Sequence, residues 1–275
     1  THEDSQLFLE RVKDEKFEYF KTSINQKKNI DKPINFINAE LTLILKKIES
    51  KKNFELQKNE VAQGIVGAPD KAFLVSETQY KMFTEREKIF IKEFHTNAGY
   101  FFTEKSKKKI IYLSSKNFSN HSINDFPNIL KHFETYKEEL IKAKIKYKTP
   151  NKEYFYLHRE RDERFFKKGE KIISSTRTSR VSCTYCLDEF YGSRALNFIK
   201  SDRINLKYLT GLLNSNLSNF WLKHKGKMTG DLLQIDKSQL LSIPIKNPAK
   251  EIQEKVADLV LNIVLNTQKS SDYQK

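Results

Sequence analysis

At 275 residues, with 38% hydrophobic and 31% charged side chains, the chain is long enough for one large or two small domains with a real core, and its mixed charges exclude a disordered tail. A formal net charge of +15 favours a polyanionic partner, although lysine-rich chains also use such charge only to solvate a surface. No stretch approaches the roughly 18 apolar residues of a membrane span. Thr1-His2-Glu3-Asp4 lacks the basic-then-apolar layout of a signal peptide, and two cysteines exclude a disulfide framework, so a cytoplasmic protein with no membrane partner is expected. The first residue is Thr1 and not Met, as expected of a piece of a longer protein.

Residues 4–28 place Leu7, Phe8, Val12, Phe17, Phe20 and Ile24 at helical spacing, which predicts an amphipathic helix or helix pair ended by Asp31-Lys32-Pro33. Leu41, Ile44, Leu45 and Ile48 predict a second helix over 38–50. The texture changes at Phe54. Val61-Ala62-Gln63-Gly64-Ile65-Val66-Gly67 reads as a strand interrupted by glycines, Ala68-Pro69-Asp70-Lys71 as a turn, and Ala72-Phe73-Leu74-Val75 as a strand leaving it. Ile110 to Leu113 is a further short strand. One helix is expected from Phe126 to Lys146, with Ile129, Phe133, Leu140 and Ile141 on one face and Pro127 in its first turn, where a missing N–H costs little. Short strands follow at Lys171–Ile173, Val181–Tyr185 and Ala195–Phe198. Leu206 to Trp221 reads as one strong helix, Lys223 to Asp231 as a glycine-containing loop, Leu240–Ile245 as the closing segment, and Ile252–Leu265 as a last amphipathic helix. No repeat of fixed period appears. The class is α+β: a small mixed β-sheet domain with flanking helices and long polar loops, the usual carriers of binding residues. Its parts are a helical segment over 1–52, a domain over 53–247 and a C-terminal helix over 248–275.

Several chemistries have no signature here. There is no Gly-x-Gly-x-x-Gly or P-loop, no Gly-x-Ser-x-Gly elbow, and no Asn/Asp-Pro-Pro-Tyr/Phe box of the kind with which amino-methyltransferases hold adenine. Cys183-Thr184-Tyr185-Cys186 has the spacing of two zinc ligands, but nothing in the placement of His158 or His224 completes a set of four, and two strand-borne core cysteines are the simpler expectation. Acids beside lysines, as in Glu138-Glu139-Leu140-Ile141-Lys142, fall on a predicted helix, where that spacing makes surface ion pairs and not a magnesium-holding nuclease centre. No catalytic residue, metal site or cofactor is expected in this chain.

Three segments suit a polyanion. Lys105, Lys107, Lys108 and Lys109 (with Lys116 beyond them) offer compact ammonium groups for phosphates, or else a solvated turn. Arg159, Arg161, Arg164, Arg177 and Arg180 stand out in a chain dominated by lysine, and the guanidinium fork pairs with a guanine edge or a phosphate. Thr178 and the neighbouring serines add hydroxyl donors. The competing expectation is local ion pairing with Glu160, Asp162 and Glu163, which applies less to Arg177 and Arg180. Lys223, Lys225 and Lys227 lie in a segment with Gly226 and Gly230, fit either for close backbone approach to a phosphate or for an ordinary helix stop.

The order of motifs adds a resemblance. Gln63 to Phe73 looks like the entry to the TaqI-like C-terminal specificity domain of type II adenine methyltransferases. Asp125-Phe126-Pro127-Asn128-Ile129-Leu130 resembles that family's middle helix, which often starts after Tyr-Pro or Phe-Pro, and Lys171-Ile172-Ile173 resembles its next strand. Leu212-Leu213-Asn214-Ser215 to Trp221, then Leu240 to Ile245 and Pro248, resembles its closing element, which recurs in type I restriction specificity subunits. The likeness covers about residues 36–260. Val66-Gly67 stands where family members commonly have Thr-Gly, and the lysine-rich 105–116 segment has no family counterpart.

The resemblance implies a target-recognition domain that binds double-stranded DNA, reads a short sequence and presents an adenine to a separate methyltransferase catalytic domain. In that family the catalytic domain lies N-terminal and binds S-adenosylmethionine. This chain would then be non-catalytic by itself, joined in cis or as a subunit to a restriction–modification enzyme, some relatives of which also carry a nuclease. Loop residues in such domains vary with the target, so DNA contacts are assigned by chemistry: Lys71 and the loop lysines to phosphates, Arg177, Arg180 and Gln63 to base edges. Two other classes stay open, a protein-interaction scaffold whose flanking helices pack on a neighbour, and a stand-alone nuclease.

Overall fold

The computed structural model describes residues 4–13, 16–25 and 39–273, with side chains over 40–269. The helix expected over 4–28 is instead an antiparallel pair, β1 (Asp4–Lys13) and β2 (Lys16–Asn25), in register from Asp4↔Asn25 to Lys13↔Lys16. Leu7 with Leu9 and Phe17 with Tyr19 also alternate at period two, and aromatic and β-branched residues suit a strand, so the same apolar set satisfied both periods. The Asp31-Lys32-Pro33 break lies outside the described residues. The second expected helix is α1 (Ala39–Ser50), and β3 (Val61–Gln63) opens the glycine-interrupted stretch. Then come β4 (Leu74–Val75), α2 (Glu77–Met82), α3 (Glu85–Lys88), β5 (Ile91–His95) and β6 (Lys109–Ile111). Ala72 belongs to a short 3-10 turn over Asp70–Ala72 and not to a strand.

The single helix expected over 126–146 is two, α4 (Pro127–Glu134) and α5 (Lys137–Lys146). The Thr135 hydroxyl donates to Lys131 O (3.3 Å) at the break, and Phe133 and Leu140 on either side are both fully buried. After β7 (Lys171–Ser175), β8 (Arg177–Thr178), β9 (Cys183–Cys186), β10 (Tyr191–Gly192) and β11 (Leu196–Ile199), the helix expected over 206–221 also splits, into α6 (Leu206–Asn214) and α7 (Asn216–Lys225). Ser215 is extended and accepts from Ser218 N–H (3.2 Å), while the Asn214 side chain bonds both Cys183 N–H and Cys183 O (2.8 Å each). Such side chains engage backbone locally and favour caps over helix interiors. The loop expected over 223–231 is the end of α7 and the start of a hairpin, β12 (Lys227–Thr229) with β13 (Leu232–Gln234); α8 (Lys237–Ser242) and α9 (Lys250–Tyr273) finish the described chain.

Four strands in the order β3-β11-β7-β9, antiparallel throughout, form the central sheet. Phe198 is paired with Ile173 and Ala62, and Ile199 with Ile172 and Val61. The first set faces a core with Phe73, Tyr112, Phe126, Phe133 and Tyr191, which is built on the second sheet, β10-β5-β6-β4, and on α4 and α5. The second set faces a core of Leu45, Leu209, Leu213, Trp221 and Leu240 from α1, α6, α7 and α8. Burial on both faces is why these strands read as short continuous apolar runs without alternation. A third sheet, β12-β13-β8, flanks them.

The stretch after β3 stitches the first two sheets together. Gly64 N–H donates to Leu196 O (2.9 Å) and Ile65 N–H to Gly192 O (2.8 Å). A Cβ on Gly64 would lie 2.1 Å from Ser193 O, so glycine is required for close approach. Upstream, the buried Glu60 carboxylate accepts from Arg203 Nη2 (2.6 Å) and Nε (2.9 Å), Gln57 N–H (2.6 Å) and the Ser201 hydroxyl (2.6 Å), which ties the entry to β3 to the exit from β11.

Burial pushes the Glu60 carboxyl up, but the Arg203, Gln57 and Ser201 hydrogen bonds and the Arg203 charge outweigh it and hold it down, from 4.5 to about 2. A carboxylate depressed on folding contributes stability above its unfolded pKa, and that contribution disappears as pH falls through the interval from 4.5 to about 2. Glu60→Gln should lower stability near neutral pH by about 1.5–3 kcal/mol and flatten the acid limb of a stability-against-pH curve from chemical denaturation. An unaltered acid limb would refute that role. Gly64→Ala should cost a further about 1–3 kcal/mol through the clash with Ser193.

Candidate nucleic-acid interface

Strand registers gather polar residues at one end of the central sheet. Gln63 ends β3 opposite Asn197, Ser175 ends β7 opposite Leu196, and Cys183 begins β9 opposite Ser174. The loop Ser193–Ala195 and the Thr176–Arg177 segment therefore lie at that same end. Gln63 Nε2 donates to Arg194 O (2.9 Å), and Thr176 N–H to Ala195 O (2.8 Å). Arg161, held at φ +65°, turns its guanidinium onto the junction: Nε donates to Gly64 O (3.1 Å) and Nη2 to Gln63 Oε1 (3.4 Å).

Positive charge converges there. Burial, then Arg159, lowers the Arg161 pKa; burial, then Arg161 and Lys58, lowers that of Lys237. Among the described residues none of Lys58, Arg159, Arg161 or Lys237 pairs with a carboxylate. Like charges held together repel, and an anion placed among them removes that repulsion.

The structure distributes the expected contact residues unevenly. Arg177 is exposed, with no side-chain partner among the described residues. Arg180 instead donates to Tyr100 Oη (3.2 Å), Asn214 O (3.4 Å) and Asn216 Oδ1 (2.9 Å) and stacks on the Tyr100 ring, while the Thr178 hydroxyl donates to Arg180 O. Arg164 pairs with Asp162 (3.0 Å), donates to Asn59 O and covers Phe165. Glu160 serves Ser115 and Lys152, and Glu163 serves Tyr191 and Lys167, so of these acids only Asp162 pairs with an arginine. Lys71 is paired with Glu139 (2.9 Å). Lys105, Lys107 and Lys108 are exposed, with no side-chain partner among the described residues, in the segment joining β5 to β6, whereas Lys109 pairs with Glu77 (3.7 Å) and lies over Tyr80. Lys223 is exposed, with no side-chain partner among the described residues; Lys225 meets Glu49 (3.7 Å) and Lys227 meets Asp236 (3.0 Å).

Lys58, Arg194, Lys237 and Gln234 have no local cluster in the sequence to advertise them: Gln234 is brought to Arg177 by strand pairing, Arg194 lies in the loop before β11, Lys237 opens α8 and Lys58 lies in the turn before β3. Two hydrogen bonds fix the hairpin to this end of the sheet: Asn197 Nδ2 to Ile235 O (2.7 Å) and Ile235 N–H to Thr176 O (2.8 Å). Cys183 is buried in the second core and Cys186 is partly buried. Among the described residues no group of three or more His, Cys, Asp or Glu is placed to hold a metal, and no helix is long and apolar enough to cross a membrane.

A sequence profile of the TaqI-like C-terminal specificity domain matches residues 16–245. The chain is similar to the type II methyltransferase M.HindII of Haemophilus influenzae, 26% identical over 218 residues that cover 74% of this chain and 41% of that protein. It is also similar to the type II methyltransferase M.MjaIV of Methanocaldococcus jannaschii, 26% identical over 226 residues, 78% of this chain and 74% of that protein. It thus spans about two fifths of the length of M.HindII. Among solved structures, the type IIL restriction-modification enzyme MmeI in complex with DNA superimposes with a TM-score of 0.57 at 15% identity, over 79% of this chain and 29% of that one, a likeness of fold.

The two arginines of the 177–180 loop should separate on mutation. Arg180→Ala removes several hydrogen bonds and should lower unfolding free energy by about 1–3 kcal/mol, while Arg177→Ala should stay within about 0.5 kcal/mol of the parent. Denaturant titration of both variants checks this; equal losses would contradict the assigned difference in bonding.

Proposed function

Because the chain belongs to the TaqI-like C-terminal specificity domain family, we propose that it is the target-recognition part of an adenine-specific DNA methyltransferase of a restriction–modification system, and that it binds double-stranded DNA at a short sequence in the cytoplasm. The observation that carries this is the Arg161 guanidinium held on Gly64 O and Gln63 Oε1 at the Gln63 end of the central sheet, with Arg159 and Lys237 as like-charged neighbours and Lys58 next to Lys237, none of them paired with a carboxylate among the described residues. Cations with nearby like charge and no carboxylate suit backbone phosphates, whose binding releases condensed counterions.

The division of labour follows from bonding. Lys58 and Lys237 grip phosphate, Arg161 and Gln63 hold each other and set the junction, and Arg177 is left available to a base edge. Transfer of the methyl group belongs to a separate catalytic part, which would hold S-adenosylmethionine, and this chain alone is non-catalytic. Exposed apolar residues on α1 (Leu43, Ile44) and α9 (Ile252, Leu259, Ile263) support a protein neighbour, and in this proposal that neighbour is the catalytic part, in cis or as a subunit. We place the recognition domain at 53–247, bounded where Asn53 and Asn247 bond reciprocally: Asn53 Nδ2 donates to Asn247 O (3.0 Å) and Asn247 N–H to Asn53 Oδ1 (2.6 Å).

Selection of bound duplexes from a randomised pool at two salt concentrations tests the proposal, and enrichment of one short motif is expected. Replacing Lys58 and Lys237 together with alanine should weaken selected and random duplexes alike and reduce the slope of log K against log salt by roughly 2. Absence of salt-sensitive DNA binding would overturn the proposal in favour of a protein scaffold.

A further inference from the structure

The small sheet β12-β13-β8 has two unlike faces. Leu233 is 1% exposed in the second core, and its cross-strand partners Met228 and Thr178 share its side. Side chains alternate along a strand, so Lys227, Gln234 and Arg177, which are Cα partners across the sheet, form a row on the opposite face, with Thr229 and Leu232 as the next pair along. That face is open. Lys227, Thr229 and Arg177 are exposed, and so is Leu232, at 42%, an apolar side chain among polar ones. The Thr229 hydroxyl donates to Gln234 Oε1 (2.9 Å), which orients the amide and leaves its NH2 and one oxygen lone pair available. Lys237, which has no carboxylate partner among the described residues, follows Gln234 by three residues at the start of α8.

Resting on the DNA-recognition function proposed above, we propose that this face is a base-reading surface that enters the major groove, with Arg177 pairing to a guanine, Gln234 to an adenine and Leu232 packing on a thymine methyl. The three readers lie on two adjacent strands of this sheet, β13 and β8, β-strands can read bases in the major groove, and these pairings match the donor and acceptor patterns that the bases display there. Adjacent strands lie roughly 4.8 Å apart and stacked base pairs roughly 3.4 Å apart, so Arg177 and Gln234 address pairs one or two steps apart. Gln63 is excluded from this task because its amide is engaged with Arg161 and Arg194. Lys227, paired with Asp236, is a positioning residue.

The test repeats the duplex selection on the full chain with Arg177→Ala, Gln234→Ala and Gln234→Glu, and follows thermal unfolding of each. The parent should enrich one motif. Each alanine variant should lose preference at one position, weakening the selected duplex roughly tenfold to a hundredfold while affinity for random duplex and the unfolding temperature stay unchanged. Gln234→Glu keeps the shape but only accepts hydrogen bonds, so the adenine position should shift toward cytosine, an outcome that a merely structural role does not produce. Variants that return the parent's motif at the parent's affinity would overturn the base-reading assignment and leave DNA recognition standing. Equal weakening of selected and random duplex would make these residues phosphate contacts and overturn it likewise. A parent chain that enriches nothing would overturn the recognition function and this assignment together.

Discussion

Burial of the central sheet on both faces governs the rest of the molecule. With Ile173 and Phe198 directed into one core and Ile172 and Ile199 into the other, strands β3, β11, β7 and β9 expose polar groups only at their ends. One end collects Gln63, the Ser193–Ala195 loop, Thr176 and Arg177, because antiparallel pairing brings the end of β3, the start of β11 and the end of β7 to the same level. A binding edge thus arises from the same registers that build the cores. The Gly64 crossing holds that edge in place by the absence of a side chain, and the Glu60–Arg203 tie fixes the same two strands at their opposite end by charge.

Electrostatics and packing at this edge oppose each other. Arg161 is partly desolvated and stands near Arg159 and Lys237, yet its guanidinium is fixed by Gly64 O and the Gln63 amide. Hydrogen bonds to carbonyl groups keep the cation in position without neutralising it. The result is a rigid concentration of positive charge, unlike the long ion-paired side chains such as Lys71, Lys225 and Arg164 elsewhere on the surface.

Much of this was legible in the sequence, and the remainder was hidden for identifiable reasons. The α+β class, α1, and the strands around Ile172, Tyr185 and Phe198 announce themselves as apolar runs. The family likeness proposed from the Gln63–Phe73, Phe126–Pro127 and Leu240–Ile245 motifs agrees with the profile match over 16–245. The apolar positions of residues 4–25 fit both periods and so do not distinguish a helix from the β1–β2 pair, and helical periodicity continues across the breaks at Thr135 and Ser215 and so conceals them. The short helices α2 and α3 carry capping boxes, Ser76 with Gln79 and Thr84 with Glu87, a signal that apolar spacing does not use. Arginines between 159 and 180 were visible as rarities in a lysine-rich chain. Which of them are spent on internal bonds, and that Lys58, Lys237 and Gln234 join the survivors, depends on contacts between segments far apart in sequence.

Gly230, at the tip of the β12–β13 hairpin, has φ +58° and no atom within 4 Å of where a Cβ would stand. Among the described residues the hairpin is attached through Asn197, Ile235 and Thr176 at its base, through the pairing of β13 with β8 and through Leu233 in the second core, and neither core reaches the tip. Packing places no limit on the tip, and the positive φ of Gly230 is the constraint that remains: a longer turn that keeps a glycine there meets no neighbouring atoms. For a lineage under pressure to change what it recognises, this part is free to drift, and for protein engineers it is a natural place to graft a new hairpin.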